Sequence, residues 1–225
     1  MLSAVADLGE NRIHRILVRT LLFFMVIEWV LLLLDGQWLQ TFLVTLIIFI
    51  LFIPILFKNK LSIELPAEFH IAGVIFAFAG IYLGEIHRFY DHFWWWDIAL
   101  HTTAGFLLGI VGFLLVYFLN ESRRVEMKMT SGFIAFFAFT FSVSIGTFWE
   151  IFEFSMDQFF GTNMQKPMLG DPSGLTDTMW DMIVNAIGAL IVSITGWWYL
   201  KFNKSFFIKR WIRNFIRRNP QWFKE

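Results

Sequence analysis

The 225 residues are 57% hydrophobic and 20% aromatic, and 18 basic residues balance 18 acidic ones. So apolar a composition excludes a soluble domain of this length, and no nucleic-acid partner is expected. With no cysteine, the chain has no disulfide, thiolate ligand or thiol nucleophile.

Six segments are long and apolar enough to cross a bilayer as helices: 16–34, 41–57, 67–89, 98–119, 131–154 and 182–200. Each would satisfy its own backbone hydrogen bonds, as hydrocarbon demands. The pattern predicts an all-α, polytopic membrane helical bundle. A six-span domain over 1–200 would precede a basic amphipathic tail over 201–225.

Arg12, Arg15 and Arg19 flank the first segment, whose long apolar run is followed by no small-residue cleavage site. It reads as a retained span rather than a signal peptide. Glu28 lies well inside it. An intramembrane carboxylate is a functional candidate, or else a protonated group hydrogen-bonded between helices. The third segment carries a small-residue stripe, Gly73, Ala77, Gly80, Gly84 and His87, of the kind that lets membrane helices approach closely. Glu85 stands three residues before Arg88 and is expected to pair with it. His70 and His14 read as structural. The aromatic run from Phe89 to Trp96 fits an interfacial belt or, alternatively, a lipid-binding wall.

The fourth segment begins with Asp97 and His101, one turn apart, and continues on that face through Gly105 and Gly109. The fifth ends with Glu150, Glu153 and Asp157; Thr147, Ser144 and Thr140 extend this stripe inward as an expected cavity wall. The connection that follows contains Gly170-Asp171-Pro172-Ser173-Gly174, a turn signal in a loop long enough to cap a site. The sixth begins with Asp177, Asp181 and Asn185 at i, i+4 and i+8. In the tail, Phe207, Trp211 and Phe215 with Ile208, Ile212 and Ile216 oppose a basic face, predicting a helix over 205–218 lying on an anionic leaflet.

Six spans would put every lysine and arginine except Arg88 and Lys166 on one side. The positive-inside rule makes that side cytoplasmic, with both termini, and a bacterial inner membrane is the expected location. Asp35, Glu85, Asp91, Asp97, Glu150, Glu153, Asp157, Asp171, Asp177 and Asp181 would face the other side. Asp97, Asp177 and Asp181 lie near helix N-termini, where capping alone could account for any one of them. Glu150, Glu153 and Asp157 lie toward a C-terminus, where the helix dipole disfavours each by roughly 0.3–1 kcal/mol. Protons, a cation or basic partners must offset that cost.

Carboxylates with an imidazole suit magnesium, manganese, zinc or iron, and helical bundles build such sites from facing helices. The expected divalent-cation ligands are Asp97, His101, Glu150, Glu153, Asp157 and Asp181, with His101 and Asp177 as proton-transferring groups. Glu85, Asn185 and Glu28 are further polar positions. The leading expectation is a membrane-embedded, metal-dependent enzyme acting at the outer face on an amphiphilic substrate, such as a lipid or lipid-linked phosphate. Membrane lipids are the expected partners. The alternatives are a proton- or cation-coupled transporter using Glu28, Glu85 and the polar seam, and an envelope scaffold knit by a structural cation.

Tyr90-Asp91, Asp97-x-x-x-His101, Trp149-Glu150-x-x-Glu153 and Asp177-x-x-x-Asp181-x-x-x-Asn185-x-x-Gly188 resemble the YjdF-like family of uncharacterised inner-membrane proteins. The pattern is also distantly similar to VanZ-like membrane proteins, although Asp91-His92 stands where those often have Asp-Lys. The resemblance covers roughly residues 84–196. It implies a polytopic helical protein with these polar positions as its site, and no established reaction.

Overall fold

The computed structural model describes residues 12–56, 67–121, 128–202 and 214–217. The expectations that fall on Lys58, Lys60, Arg123, Arg124, Phe207, Ile208, Trp211 and Ile212 lie outside them, as do the side chains of His14 and His70. The described residues form α1 (Arg12–Leu34), α2 (Trp38–Leu56), α3 (Ala67–Ala77), a π-helical segment (Phe78–Ile86), α4 (Phe89–His92), α5 (Trp96–Glu121), α6 (Ser131–Phe160) and α7 (Leu175–Phe202). The one β feature among them is an isolated bridge between Met168 and Asp171. The chain divides into two compact units, Met1–Trp96 and Asp97–Glu225.

In the first unit, α1 turns into α2 at Gly36, whose φ of +69° lies in the left-handed region that glycine adopts without strain. Met25, Leu32, Val44 and Val74 are its buried centre, packed by Trp29, Phe78 and Tyr82 among others. The Trp29 indole donates to Thr45 Oγ1 at 2.8 Å, tying α1 to α2. The π segment closes with the His87 amide on the Tyr82 carbonyl, five residues back. Here the small-residue stripe does something other than expected. Gly73 faces open space, while Gly84 receives the ring of Tyr90, which a Cβ would strike. Arg88 has a left-handed φ of 56°, and its Nε donates to Asp91 Oδ2 at 2.8 Å. That left-handed residue ends the helical run before α4.

In the second unit, small residues set the spacing. A Cβ on Gly105 would run into the backbone carbonyl of Asn185, and one on Gly188 into the carbonyl of Thr102. A Cβ on Gly146 would meet the Asn185 side chain. Thus α5 and α7 touch backbone to backbone, and α6 closes over the same asparagine. Ser142 reinforces the junction, its Oγ 2.9 Å from the Gly105 carbonyl and 3.3 Å from Asn185 Oδ1. The buried stripe of α6 runs through Ile134, Ala138, Ser142, Gly146, Glu150 and Glu153. From Ile134 to Glu150 this row advances in steps of four residues. The expected seam through Thr140, Ser144 and Thr147 is therefore displaced: Thr140 and Thr147 return their hydroxyls to carbonyls of their own helix, and Ser144 is exposed.

Among the described residues, three helices are long and apolar enough to cross a membrane: Trp96–Asn120, Ser131–Phe160 and Leu175–Phe202. Helices α1, α2 and α3 with its π extension occupy the positions of the first three expected segments. In the tail, Phe215 is 4% exposed, its ring edge-on to Phe118 at 6.2 Å. This phenylalanine packs on the protein, where the amphipathic reading turned it toward lipid.

The close approach makes a direct prediction. Gly188→Ala should destabilise the protein by about 1–3 kcal/mol, because the added methyl meets backbone rather than a movable side chain. Gly73→Ala should be neutral or stabilising, since its Cβ enters open space on a helix. Thermal unfolding of the two variants in one detergent checks the contrast.

Candidate functional site

Three helices of the second unit bring polar groups to one place because their backbones already touch one turn away. Asp97 opens α5, and His101 follows on the same face, with Nε2 3.4 Å from Asp97 Oδ1. Asp181 lies one turn before Asn185 on α7, and its Oδ2 is 3.9 Å from the same Nε2. From α6, Glu150 approaches the other ring nitrogen, Oε1 to Nδ1 at 3.6 Å. Every carboxylate here is largely withdrawn from solvent: Asp97 is 18% exposed, Glu150 5% and Asp181 1%.

Among the described residues, both oxygens of Glu150 and both of Asp181 are buried without a hydrogen-bond partner. Thr178 faces the Glu150 carboxylate without closing a bond of good geometry. A carboxylate taken out of water loses several kcal/mol of solvation unless something compensates. Ligand atoms from Asp97, His101 and Asp181 all lie within 4.8 Å of one another, a spacing that could hold a metal ion. The site thus combines an imidazole with two carboxylates, and a third carboxylate on the far side of the ring.

The remaining sequence-predicted residues fall into four groups. Glu153 is buried one turn beyond Glu150 and accepts the Trp149 indole N–H at 2.7 Å. Asp157 and Asp177 hold the connection between α6 and α7. Asp157 accepts from Thr162 Oγ1 at 2.6 Å and from the amides of Met164 and Gln165 at 2.7 and 2.9 Å. Asp177 accepts the Lys166 amide at 2.7 Å. Glu28 and Glu85 belong to the first unit, both half-buried, with Glu28 in electrostatic reach of Tyr82. Asn185 is the packing junction described above.

Helix α6 runs to Phe160 and is capped by left-handed Gly161. Glu150 and Glu153 therefore stand well inside it, beyond the last turn where the dipole acts. Their cost is burial, and the dipole argument applies to Asp157 alone. Sequence reasoning missed Ser142 and the roles of Trp149 and Thr178. The signal for Ser142 was present as Ser142-Gly146-Glu150 at i, i+4 and i+8.

Comparison with known proteins places these residues in a family. The family model for DUF2238, described as a predicted membrane protein, matches residues 16–202 and so takes in all three helices of the site. An uncharacterized protein of Thermotoga maritima is 25% identical over 137 residues, which cover 61% of this chain and 66% of that protein, just under two thirds of its length. No solved structure matches the chain.

The strap between α6 and α7 is latched by a third carboxylate. Asp171 accepts the amides of Ser173 and Thr176 at 2.8 and 3.1 Å and the Thr176 hydroxyl at 2.7 Å. Hydrogen bonds from Ser173, then Thr176, hold the Asp171 carboxyl well below the usual carboxylate range. A depressed value in the fold gives a stabilisation present above the unfolded value of about 3.9 and lost as pH falls through the folded one. Hydrogen-exchange protection of the Ser173 and Thr176 amides should therefore persist from pH 7 to pH 5. Asp171→Ala should abolish it across that range.

Proposed function

We propose, from the premise that the chain belongs to the DUF2238 family of predicted membrane proteins, that it binds a divalent cation in the second unit and performs metal-dependent chemistry there. The observation that carries this reading is the set of unpartnered carboxylate oxygens on Glu150 and Asp181, buried around His101. Among the described residues none of these oxygens closes a hydrogen bond, and a cation bound between helices would compensate them.

An amphiphilic substrate, a lipid or lipid-linked phosphate, suits a site carried by helices able to cross a membrane. The bound ion would act as a Lewis acid or activate a water. In this reading the chain crosses a bacterial inner membrane six times, both termini are cytoplasmic, and the acidic cluster opens on the opposite face. The YjdF-like residue pattern, with its distant VanZ-like likeness, is the family-level counterpart of this arrangement. Asp157 and Asp177 shape the site's mouth by holding the strap, which shifts the metal role toward Asp97, His101 and Asp181.

Binding to the folded state alone raises stability by mass action, about 2.7 kcal/mol at one hundred times the dissociation constant. Chelation of the detergent-solubilised protein should lower its melting temperature, and adding back Mn²⁺ or Zn²⁺ should restore it. His101→Ala should remove the response. A melting temperature indifferent to chelator and metal would overturn the metal reading and leave protonated carboxylates as the account of the cluster.

A further inference from the structure

The two ring nitrogens of His101 face different partners, and that separation assigns roles within the cluster. On one edge, Nε2 has Asp97 Oδ1 at 3.4 Å and Asp181 Oδ2 at 3.9 Å. On the other, Nδ1 has Glu150 Oε1 at 3.6 Å. We infer that Asp97, His101 Nε2 and Asp181 form a three-ligand face for a borderline first-row transition ion, and that Glu150 is the positioning residue that orients the imidazole through Nδ1. This rests on the metal reading proposed above.

The argument begins with the imidazole. A nitrogen that binds metal presents a lone pair, so the ring proton must sit on the other nitrogen. Metal-bound histidines nearly always give that proton to a carboxylate, a carbonyl or water, which fixes the tautomer and the ring plane. Glu150 stands at that position, 5% exposed, with neither oxygen hydrogen-bonded among the described residues. Its place beside Nδ1 separates it from the Nε2 face, where Asp97 and Asp181 converge.

Ligand spacing agrees. Four-coordinate zinc with bonds of about 2.0–2.2 Å holds its ligand atoms roughly 3.3 Å apart. The distances of 3.4 and 3.9 Å from Nε2 to the two aspartate oxygens need only small side-chain adjustments to reach that value. Three protein ligands leave a coordination position open, the pattern of reactive rather than purely structural zinc sites.

The donor set and burial select the ion. One imidazole with two carboxylates favours zinc, manganese or iron over magnesium, which prefers an all-oxygen shell and keeps several waters. Asp181 is 1% exposed, so a bound ion sheds much of its hydration, a step magnesium resists. The four metals left open by the sequence thus reduce to the three that accept nitrogen readily.

The test uses the full-length chain in detergent with Co²⁺ as the probe, because its visible absorption reports both binding and ligand set. Wild type should bind Co²⁺, with Zn²⁺ displacing it and a hundredfold excess of Mg²⁺ failing to. Glu150→Gln should keep the absorption spectrum and weaken affinity by 10- to 100-fold. Asp181→Asn should alter or remove the spectrum, and His101→Ala should remove it. Melting temperatures of the metal-free variants separate lost binding from lost folding, and a variant that fails to fold is replaced by the milder Glu150→Asp, which should also keep the spectrum at weakened affinity. If the Glu150 variant changes the spectrum as Asp181→Asn does, Glu150 is a ligand and the assignment falls. Affinity unchanged by the Glu150 substitution removes its orienting role. Equal displacement by Mg²⁺ overturns the ion class, whereas a wild-type protein that binds neither Co²⁺ nor Zn²⁺ overturns the metal reading itself.

Discussion

Gly105 and Gly146 leave no room for side chains against Asn185, nor Gly188 against the backbone at Thr102, and the acidic cluster is a consequence of that closeness. Residues four apart on a helix share a face. Once α5 and α7 meet at Gly105 and Asn185, the groups one turn away, His101 and Asp181, must also meet. Glu150 is delivered in the same way, four residues beyond Gly146 on α6. Helices in lipid gain little from the hydrophobic effect against one another and rely on close packing and hydrogen bonds instead. The glycine contacts and the Ser142 hydroxyl supply both at the level where the carboxylates are held.

The site is therefore made from expensive parts placed by inexpensive ones. Burying several carboxylates around one histidine opposes folding, and mutual repulsion adds to it. Nearby, Glu153 receives an indole N–H and Asp157, Asp171 and Asp177 receive backbone amides, so those acids have local compensation. Glu150 and Asp181 lack it among the described residues. The contrast divides one acidic surface into acids that hold the chain and acids available to something else.

Much of this was legible in the sequence, for specific reasons. The helices of the second unit and the stripes Asp97-His101 and Asp177-Asp181-Asn185 follow from 3.6-residue periodicity, which is local information. The inward row on α6 did not follow. Both Thr147-Ser144-Thr140 and Gly146-Ser142 continue from Glu150 at helical spacing, and only the neighbouring helices decide between them. Polarity pointed to the threonines, but their hydroxyls satisfy themselves on their own helix, while glycine marks where another backbone arrives. Asp157 and Asp177 were seen as members of an acidic stripe; that they would be occupied by amides of the strap depended on a loop conformation no periodicity encodes. Phe215 matched an amphipathic pattern, yet a ring from α5 covers it.

The length of α6 bears on how anything reaches the cluster. Its 30 residues make a rod of about 45 Å at 1.5 Å per residue. A bilayer's hydrocarbon is about 30 Å thick, so such a rod must tilt or stand proud of it. Glu150 lies ten residues before the end at Phe160, a depth of about 15 Å along the axis. Any group approaching from that end of α6 must cover the same distance, so depth joins burial in setting what the histidine can meet.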